Sequence, residues 1–491
     1  MKFLQVNALR EKDVEILFLP FIQEKAEAKK VFVLDGFDEA YKFPVDSSDF
    51  TAKEGEITLL YQVKGLKRVA LLGLGPKDKV SVESLRRVFA ACIKYCRQKQ
   101  YENIHIAFPI LPFSQEEVCR GMGEGLLLAN YAFEHNRFES LQKNQASLVK
   151  KAIFLALPKG SLALFEKYTY IAEGVFLARD LVNGNADDIT PEALSFLALQ
   201  LEERFSQIKT KVLNRKAIEK EKMGLLLAVA RGSYRDPAFI VMEYKGNPKS
   251  KEHTVVVCKG VTFDTGGLLI KPRGGMEDMR SDMAGAACGF GTLLSVVLLK
   301  MKVNVSIVIG ATENAIGPNA YKPGDVYKSM SGKTVEITDT DAEGRLVLAD
   351  AITYTEKYLK PTRIVDVATL TGAMMVALGE EVAGICSNNK ELEELLIHAG
   401  NGTYERVWPL PLCEEYKEHL KSDIADLKNT GTKYARAISA ALFIQEFVAK
   451  TPWAHLDIAG PAFYTKERHY IPKNGTGYGV RLLIEFLELL H

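Results

Sequence analysis

Four short apolar runs restrict this chain more than any other feature. They are Ala238 to Tyr244, Val255-Val256-Val257-Cys258, Ser306-Ile307-Val308-Ile309-Gly310 and Thr362-Arg363-Ile364-Val365-Asp366-Val367. Their residues are near-continuously apolar instead of alternating, so each strand must be buried on both faces. Helical stretches separate them, which predicts an α/β fold with a central, mostly parallel sheet flanked by helices. Leu225 to Arg231 is a further apolar run of strand type. Sheets of this kind bind ligands beyond the carboxyl ends of their strands.

A chain of 491 residues exceeds what one hydrophobic core organises, so two domains are expected. Strands are predicted at Lys30 to Leu34, Glu56 to Tyr61, Arg68 to Gly75, Ile104 to Phe108 and Ala152 to Ala156. Helices are predicted at Val82 to Gln98 and Gln115 to Phe133. This alternation makes residues 1–165 a separate α/β domain. Gly73-Leu74-Gly75 lacks a third glycine at nucleotide-fingerprint spacing and reads as a tight turn. Residues 166–491 form the second domain, entered through a linking helix at 166–185. Thr190-Pro191 reads as the N-cap and first residue of the next helix.

The chemistry concentrates in three stretches. Asp339-Thr340-Asp341-Ala342-Glu343-Gly344-Arg345-Leu346 lies between a strand-like run, Lys333 to Ile337, and a helix-like run from Leu346. Two carboxylates that close repel each other, and a bound divalent cation relieves the repulsion. On its own the octapeptide reads equally well as an acidic helix cap. A second stretch, Lys259 through Asp264 to Gly267 and on to Lys271, runs from strand to glycine-rich turn. A third, Met276 to Ala287, reads as a helix carrying Asp282. Together they supply four carboxylates and two amines.

These blocks resemble the cytosolic leucine aminopeptidase family. Residues 339–346 match the signature Asn-Thr-Asp-Ala-Glu-Gly-Arg-Leu at seven of eight positions. Lys-Gly-x-Thr-Phe-Asp-(Ser/Thr)-Gly-Gly matches at 259–267, and Met-x-x-Met-(Lys/Arg)-x-Asp-Met at 276–283. The resemblance implies a macro-type first domain, a hexamer, and two divalent ions per subunit, Mn²⁺ or Zn²⁺ with Mg²⁺ as an alternative. It implies Lys259, Asp264, Asp282, Asp341 and Glu343 as metal ligands. It implies Lys271 as oxyanion stabiliser and Arg345 as holder of a bicarbonate. It places Met279, Thr369, Leu370, Gly372, Ala459 and Ala462 around the substrate's first residue. The expected reaction is removal of leucine or another apolar residue from a peptide N-terminus.

Composition narrows the alternatives. A net charge of +1 argues against nucleic acid as a main ligand, although a DNA-binding accessory role on the same scaffold is the competing reading. A two-metal phosphatase would share the carboxylates and leave Lys259 unexplained. His-Glu-x-x-His and Gly-x-Ser-x-Gly do not occur. Met1 to Phe21 alternates apolar and charged residues and lacks the basic-then-apolar layout of a leader, no apolar run reaches membrane-spanning length, and the seven cysteines are scattered. The expected location is the cytoplasm. Asp339 departs from the signature, which has asparagine there. It is expected to pair with a cation such as a nearby lysine, the alternative being that it merely caps the turn.

Overall fold

The computed structural model describes residues 1–25, 27–38, 40–134 and 148–490. They fall into two compact units, Met1–Ala172 with Lys466–Pro472, and Glu173–Thr465 with Lys473–His491.

In the first unit the strands are β1 (Lys2–Val6), β2 (Leu17–Glu24), β3 (Glu27–Lys30), β4 (Ile57–Val63), β5 (Leu66–Pro76), β6 (Asn103–Ala107) and β7 (Lys151–Leu155). The sheet runs β1-β7-β6-β2-β5-β4, with β3 antiparallel to β2. Helix α1 (Val82–Gln98) has the predicted bounds because Ser81 and Ser84 close a reciprocal cap at its start. Helix α2 (Gln115–Leu128) is capped in the same way by Ser114 and Glu117 and ends before the predicted Phe133. The strand expected at Lys30 to Leu34 lies upstream, at Glu27–Lys30. Strands β1 and β2 were not anticipated, although β2 is central and Leu17 through Ile22 are buried. Gly73-Leu74-Gly75 lies inside β5 instead of at a turn.

Helix α3 (Ser161–Asn183) leads into the second unit, where Thr190 caps α4 (Pro191–Arg204) by accepting from Ala193 N at 3.1 Å. The remaining strands of the large sheet are β8 (Ile208–Leu213), β9 (Ala238–Lys245), β10 (Thr254–Asp264), β11 (Asn304–Asn314), β14 (Arg363–Ala368), β15 (Ala383–Ser387), β16 (Val407–Pro409) and β18 (Trp453–Asp457). Their order is β16-β15-β18-β14-β10-β11-β9-β8. The centre, β18-β14-β10-β11, is parallel and buried, as the apolar runs require. A small sheet of β12 (Val326–Lys328), β13 (Thr334–Glu336) and β17 (Leu427–Lys428) stands apart from it.

Leu225 to Arg231 is not a strand. After α5 (Arg215–Lys220) comes the short helix α6 (Gly224–Val229) and a 3-10 turn. Its first amides, Leu225 N and Leu226 N, donate to Asp350 Oδ2 at 2.9 and 3.0 Å, and this cap, 125 residues away in the chain, selects the helix. The predicted helix at 276–287 is a 3-10 segment, Met279–Met283, followed by α7 (Ala284–Leu298). Met279–Leu298 is apolar enough to cross a membrane, but 94% of it is buried inside the fold. Gly285 lets α7 lie on the sheet, since a Cβ there would sit 2.2 Å from Val367 O. Helix α8 (Gly344–Leu359) begins directly after the acidic turn.

Candidate functional site

The site forms where β10, the 279–283 segment and the turn before α8 converge. Lys259 sits within β10, and its ammonium is buried. Its Nζ contacts Asp282 Oδ1 at 2.7 Å and Glu343 Oε1 at 2.8 Å, and donates to Thr369 O at 2.8 Å. Asp264 ends β10. Its Oδ1 accepts from Asn314 Nδ2 at 2.7 Å and Gly266 N at 2.9 Å, and its Oδ2 meets Lys271 Nζ at 2.6 Å. Lys271 also contacts Asp341 Oδ1 at 2.5 Å. Gly344 makes room for Lys259, because a Cβ there would lie 2.7 Å from the lysine Cε.

Oxygens of Asp264, Asp341 and Glu343 lie within 4.8 Å of one another. Burial, with the Glu343 charge, raises the Asp264 carboxyl. Burial, with Asp264 and Glu343, pushes Asp341 up to about 6. Burial pushes Asp282 well above the carboxylate range. Burial also opposes ionisation of Glu343, but Lys259 and Lys271 outweigh it and hold that carboxyl below its ordinary value. For Lys259, burial disfavours the charge, and Asp282, Glu343 and Asp264 overcome it and keep the amine protonated.

The donors fit hard divalent ions. Three carboxylates that repel one another share one space. Asp282 Oδ2, buried beside them, has no hydrogen-bond partner among the described residues. Lys259 can join such a set only as the neutral amine, and a nearby dication would lower its pKa.

Arg345 is buried at the start of α8. Its Nη1 donates to Asn429 O at 2.7 Å, while its Nε has no partner among the described residues. Burial draws its pKa down to about 10. Asp339 both caps and pairs. Its Oδ1 accepts from Asp341 N at 2.9 Å, and its Oδ2 meets Arg436 Nη2 at 3.2 Å, an arginine in place of the expected lysine.

Of the expected pocket residues, Thr369 is tied directly to the cluster, its Oγ1 donating to Asp282 Oδ1 at 2.8 Å. Leu370 N and Ala459 N both donate to Asp457 Oδ1 at 3.1 Å, which draws these two segments together. Gly372 opens α9 (Gly372–Leu378), and no atom lies within 4 Å of where its Cβ would stand. Ala462 is buried, and Met279 is half-buried in the segment that carries Asp282. The sequence reading missed Asn314, Asn429 and Arg436. Asn314 alone left a signal, as a polar residue closing an apolar strand.

Comparison with known proteins agrees with this geometry. The catalytic-domain model of the cytosol aminopeptidase family matches residues 176–484, and the family's N-terminal-domain model matches residues 19–140. The chain is 47% identical over 491 residues to a probable cytosol aminopeptidase of Protochlamydia amoebophila (strain UWE25), covering 99% of this chain and 98% of the relative. It is 45% identical over 493 residues to a probable cytosol aminopeptidase of Chlamydia felis (strain Fe/C-56), with the same coverages. Among solved structures, the bottromycin maturation enzyme BotP matches with a TM-score of 0.85 at 29% identity, over 97% of this chain and 99% of that one. The same enzyme in complex with Mn matches equally well, at 28% identity. The chain therefore belongs to the cytosol aminopeptidase family and is a metal-dependent aminopeptidase.

Proposed function

We propose that this aminopeptidase releases apolar N-terminal residues, leucine above all, from peptides, using two divalent ions per subunit. The observation that carries the reading is the convergence of Lys259, Asp282 and Glu343 with the Asp264–Asp341–Glu343 cluster. Lys259 and Asp282 would complete one metal position and Asp341 the other, with Asp264 and Glu343 shared. Mn²⁺ and Zn²⁺ both suit the donors, and BotP was solved with Mn. When bound, the ions would polarise the scissile carbonyl and acidify the attacking water.

Lys271 is cast as the oxyanion donor. Its ammonium has three N–H groups and the two carboxylates engage two, which leaves one for a developing alkoxide. Arg345 stays cationic at working pH, and its unpaired Nε suits an anion such as bicarbonate, which would accept the water's proton. A free N-terminus would be held on the Lys259–Asp282 side, which restricts cleavage to the first residue. Met279, Thr369, Gly372, Ala459 and Ala462 would line the space for its side chain, and the Leu370 carbonyl would hold its backbone. We read the assembly as a homohexamer acting in the cytoplasm, which native mass spectrometry and cell fractionation would test.

The deciding experiment is hydrolysis of leucyl-p-nitroanilide before and after chelation, with Mn²⁺, Zn²⁺ and Mg²⁺ added back singly. Activity should vanish on chelation and return with metal. Turnover that survives complete metal removal would overturn the reading.

A further inference from the structure

Both ligands on the acidic turn, Asp341 and Glu343, lie between residues held by one asparagine from another part of the chain, through its side chain and its main-chain carbonyl. Strand β17 runs parallel to β13 and delivers Asn429, which is fully buried, beneath the turn. Asn429 N donates to Glu336 O at 2.9 Å, which continues the ladder. Its Oδ1 accepts from Thr338 N at 2.8 Å, from Asp339 N at 3.2 Å and from Thr338 Oγ1 at 3.2 Å. Its Nδ2 donates to Asp339 O at 2.6 Å and to Ala342 O at 3.4 Å. Its own carbonyl accepts from Arg345 Nη1 at 2.7 Å.

Both donors and the acceptor of the amide are thus occupied by residues 338, 339 and 342, while the main-chain carbonyl of Asn429 holds Arg345. No other natural side chain of this size presents two donors and an acceptor in that fork. A carboxylate would face two carbonyls, and an apolar residue would leave the amides of Thr338 and Asp339 unpaired. The neighbouring residues reinforce the contact. Thr430 Oγ1 lies 2.6 Å from Thr338 Oγ1, and Arg436, which begins α11 (Arg436–Gln445), reaches Asp339.

We propose that Asn429 is a positioning residue of the aminopeptidase. It fixes the spacing of Asp341, Glu343 and Arg345, so that metal affinity and turnover depend on an amide that touches neither metal nor substrate. This rests on the ligand assignment proposed above. Small displacements matter there, because a misplacement of about 1 Å can cost on the order of 10²-fold in rate.

The test compares Asn429→Ala and Asn429→Asp with Asp426→Ala in the full-length protein. Asp426 binds the same strand pair further along, its Oδ2 accepting from Thr334 N and Oγ1 at 2.8 Å each, and it touches no site residue. Mn²⁺ affinity is read by calorimetry on the chelated protein, together with kcat, KM and Tm. Both Asn429 variants should bind Mn²⁺ at least tenfold more weakly and lose about 10²-fold in kcat, while KM for leucyl-p-nitroanilide moves less than about threefold. Asp426→Ala should keep affinity and kcat. Should the Asn429 variants fail to fold, Thr338→Val, which removes one hydroxyl donor and leaves the backbone contacts, should weaken Mn²⁺ by a smaller factor with KM unchanged.

Wild-type affinity and kcat in the Asn429 or Thr338 variants would overturn the proposal, as would equal losses in Asp426→Ala. Wild-type protein that binds no Mn²⁺, or an Asp264→Ala variant that binds it fully, would overturn the ligand assignment itself, and the two failures are thereby distinguished.

Discussion

Gly344→Ala tests how closely the fold must hold Lys259 against its carboxylates. Gly344 is the first residue of α8 and its φ lies outside the left-handed region, so alanine is compatible with its backbone. The added Cβ, however, would stand 2.7 Å from Lys259 Cε and 2.9 Å from Nζ. Ordinary carbon contacts lie at about 3.5–4.0 Å, so the end of the lysine must retreat by roughly 1 Å. That end is fixed by Asp282 at 2.7 Å and by Glu343 and Thr369 O at 2.8 Å each, and it cannot move without stretching all three contacts. A shift on this scale can cost about 10²-fold in rate, equivalent to about 2.7 kcal/mol of barrier. Steady-state hydrolysis of leucyl-p-nitroanilide, bound metal by plasma mass spectrometry and Tm by calorimetry give the three readouts. The expected result is kcat/KM about a hundredfold lower together with a lowered Tm, because the strained ion pairs are buried. A variant with wild-type turnover and full metal content would show that the position of Lys259 does not matter to the reaction.

Other consequences are equally direct. Asp264→Ala should abolish activity and lower bound metal while circular dichroism stays native; full metal content and turnover would contradict its assignment. Lys271→Ala should retain metal and lose about 2.7–4 kcal/mol of transition-state stabilisation, the usual loss for an oxyanion donor, and a loss below tenfold would exclude that role. Asp339→Asn gives up the Arg436 ion pair and should leave an active enzyme that yields its metal faster to EDTA; equal release rates would reduce Asp339 to a turn cap. Burial raises the Asp350 carboxyl to about 7 despite three backbone donors, Leu225, Leu226 and Met330. Its folded pKa exceeds the unfolded value of about 3.9, so the folded state binds more protons between them. Wild-type stability should therefore decline as pH rises from about 4 to 7, relative to Asp350→Asn, and parallel urea-unfolding profiles for the two proteins would refute the assignment.

What the sequence revealed followed the range of each interaction. Helix α1 was legible to the residue because its cap is local, Ser81 to Ser84. The parallel core was legible because burial on both faces is written into each strand. Strand β2 was not, because Pro20 stands inside its apolar run and charged residues flank it, and the burial of Leu17 to Ile22 comes from partners far along the chain. The run from Leu225 was misread because its cap arrives from Asp350, a contact that periodicity cannot express. The site shows the same division. Lys259, Asp264, Asp282, Asp341 and Glu343 stand in contiguous blocks and could be named in advance. Asn314, Asn429 and Arg436 come from separate segments, of which only Asn314 carries a mark of its own as a polar strand end, and folding brings them to the ligand cluster.

The first unit also sets an order of events during synthesis. Its borders take in Lys466–Pro472, and within it Tyr470 Oη donates to Glu83 Oε2 at 2.9 Å and Lys94 Nζ meets Glu467 Oε1 at 3.2 Å. Those seven residues leave the ribosome after almost the whole chain, so the unit translated first stays incomplete until only Lys473–His491 of the second unit remain to be made. Helix α1 lacks these two contacts while residues 173–465 are made. A gene truncated near residue 172 would encode a first unit permanently lacking this piece.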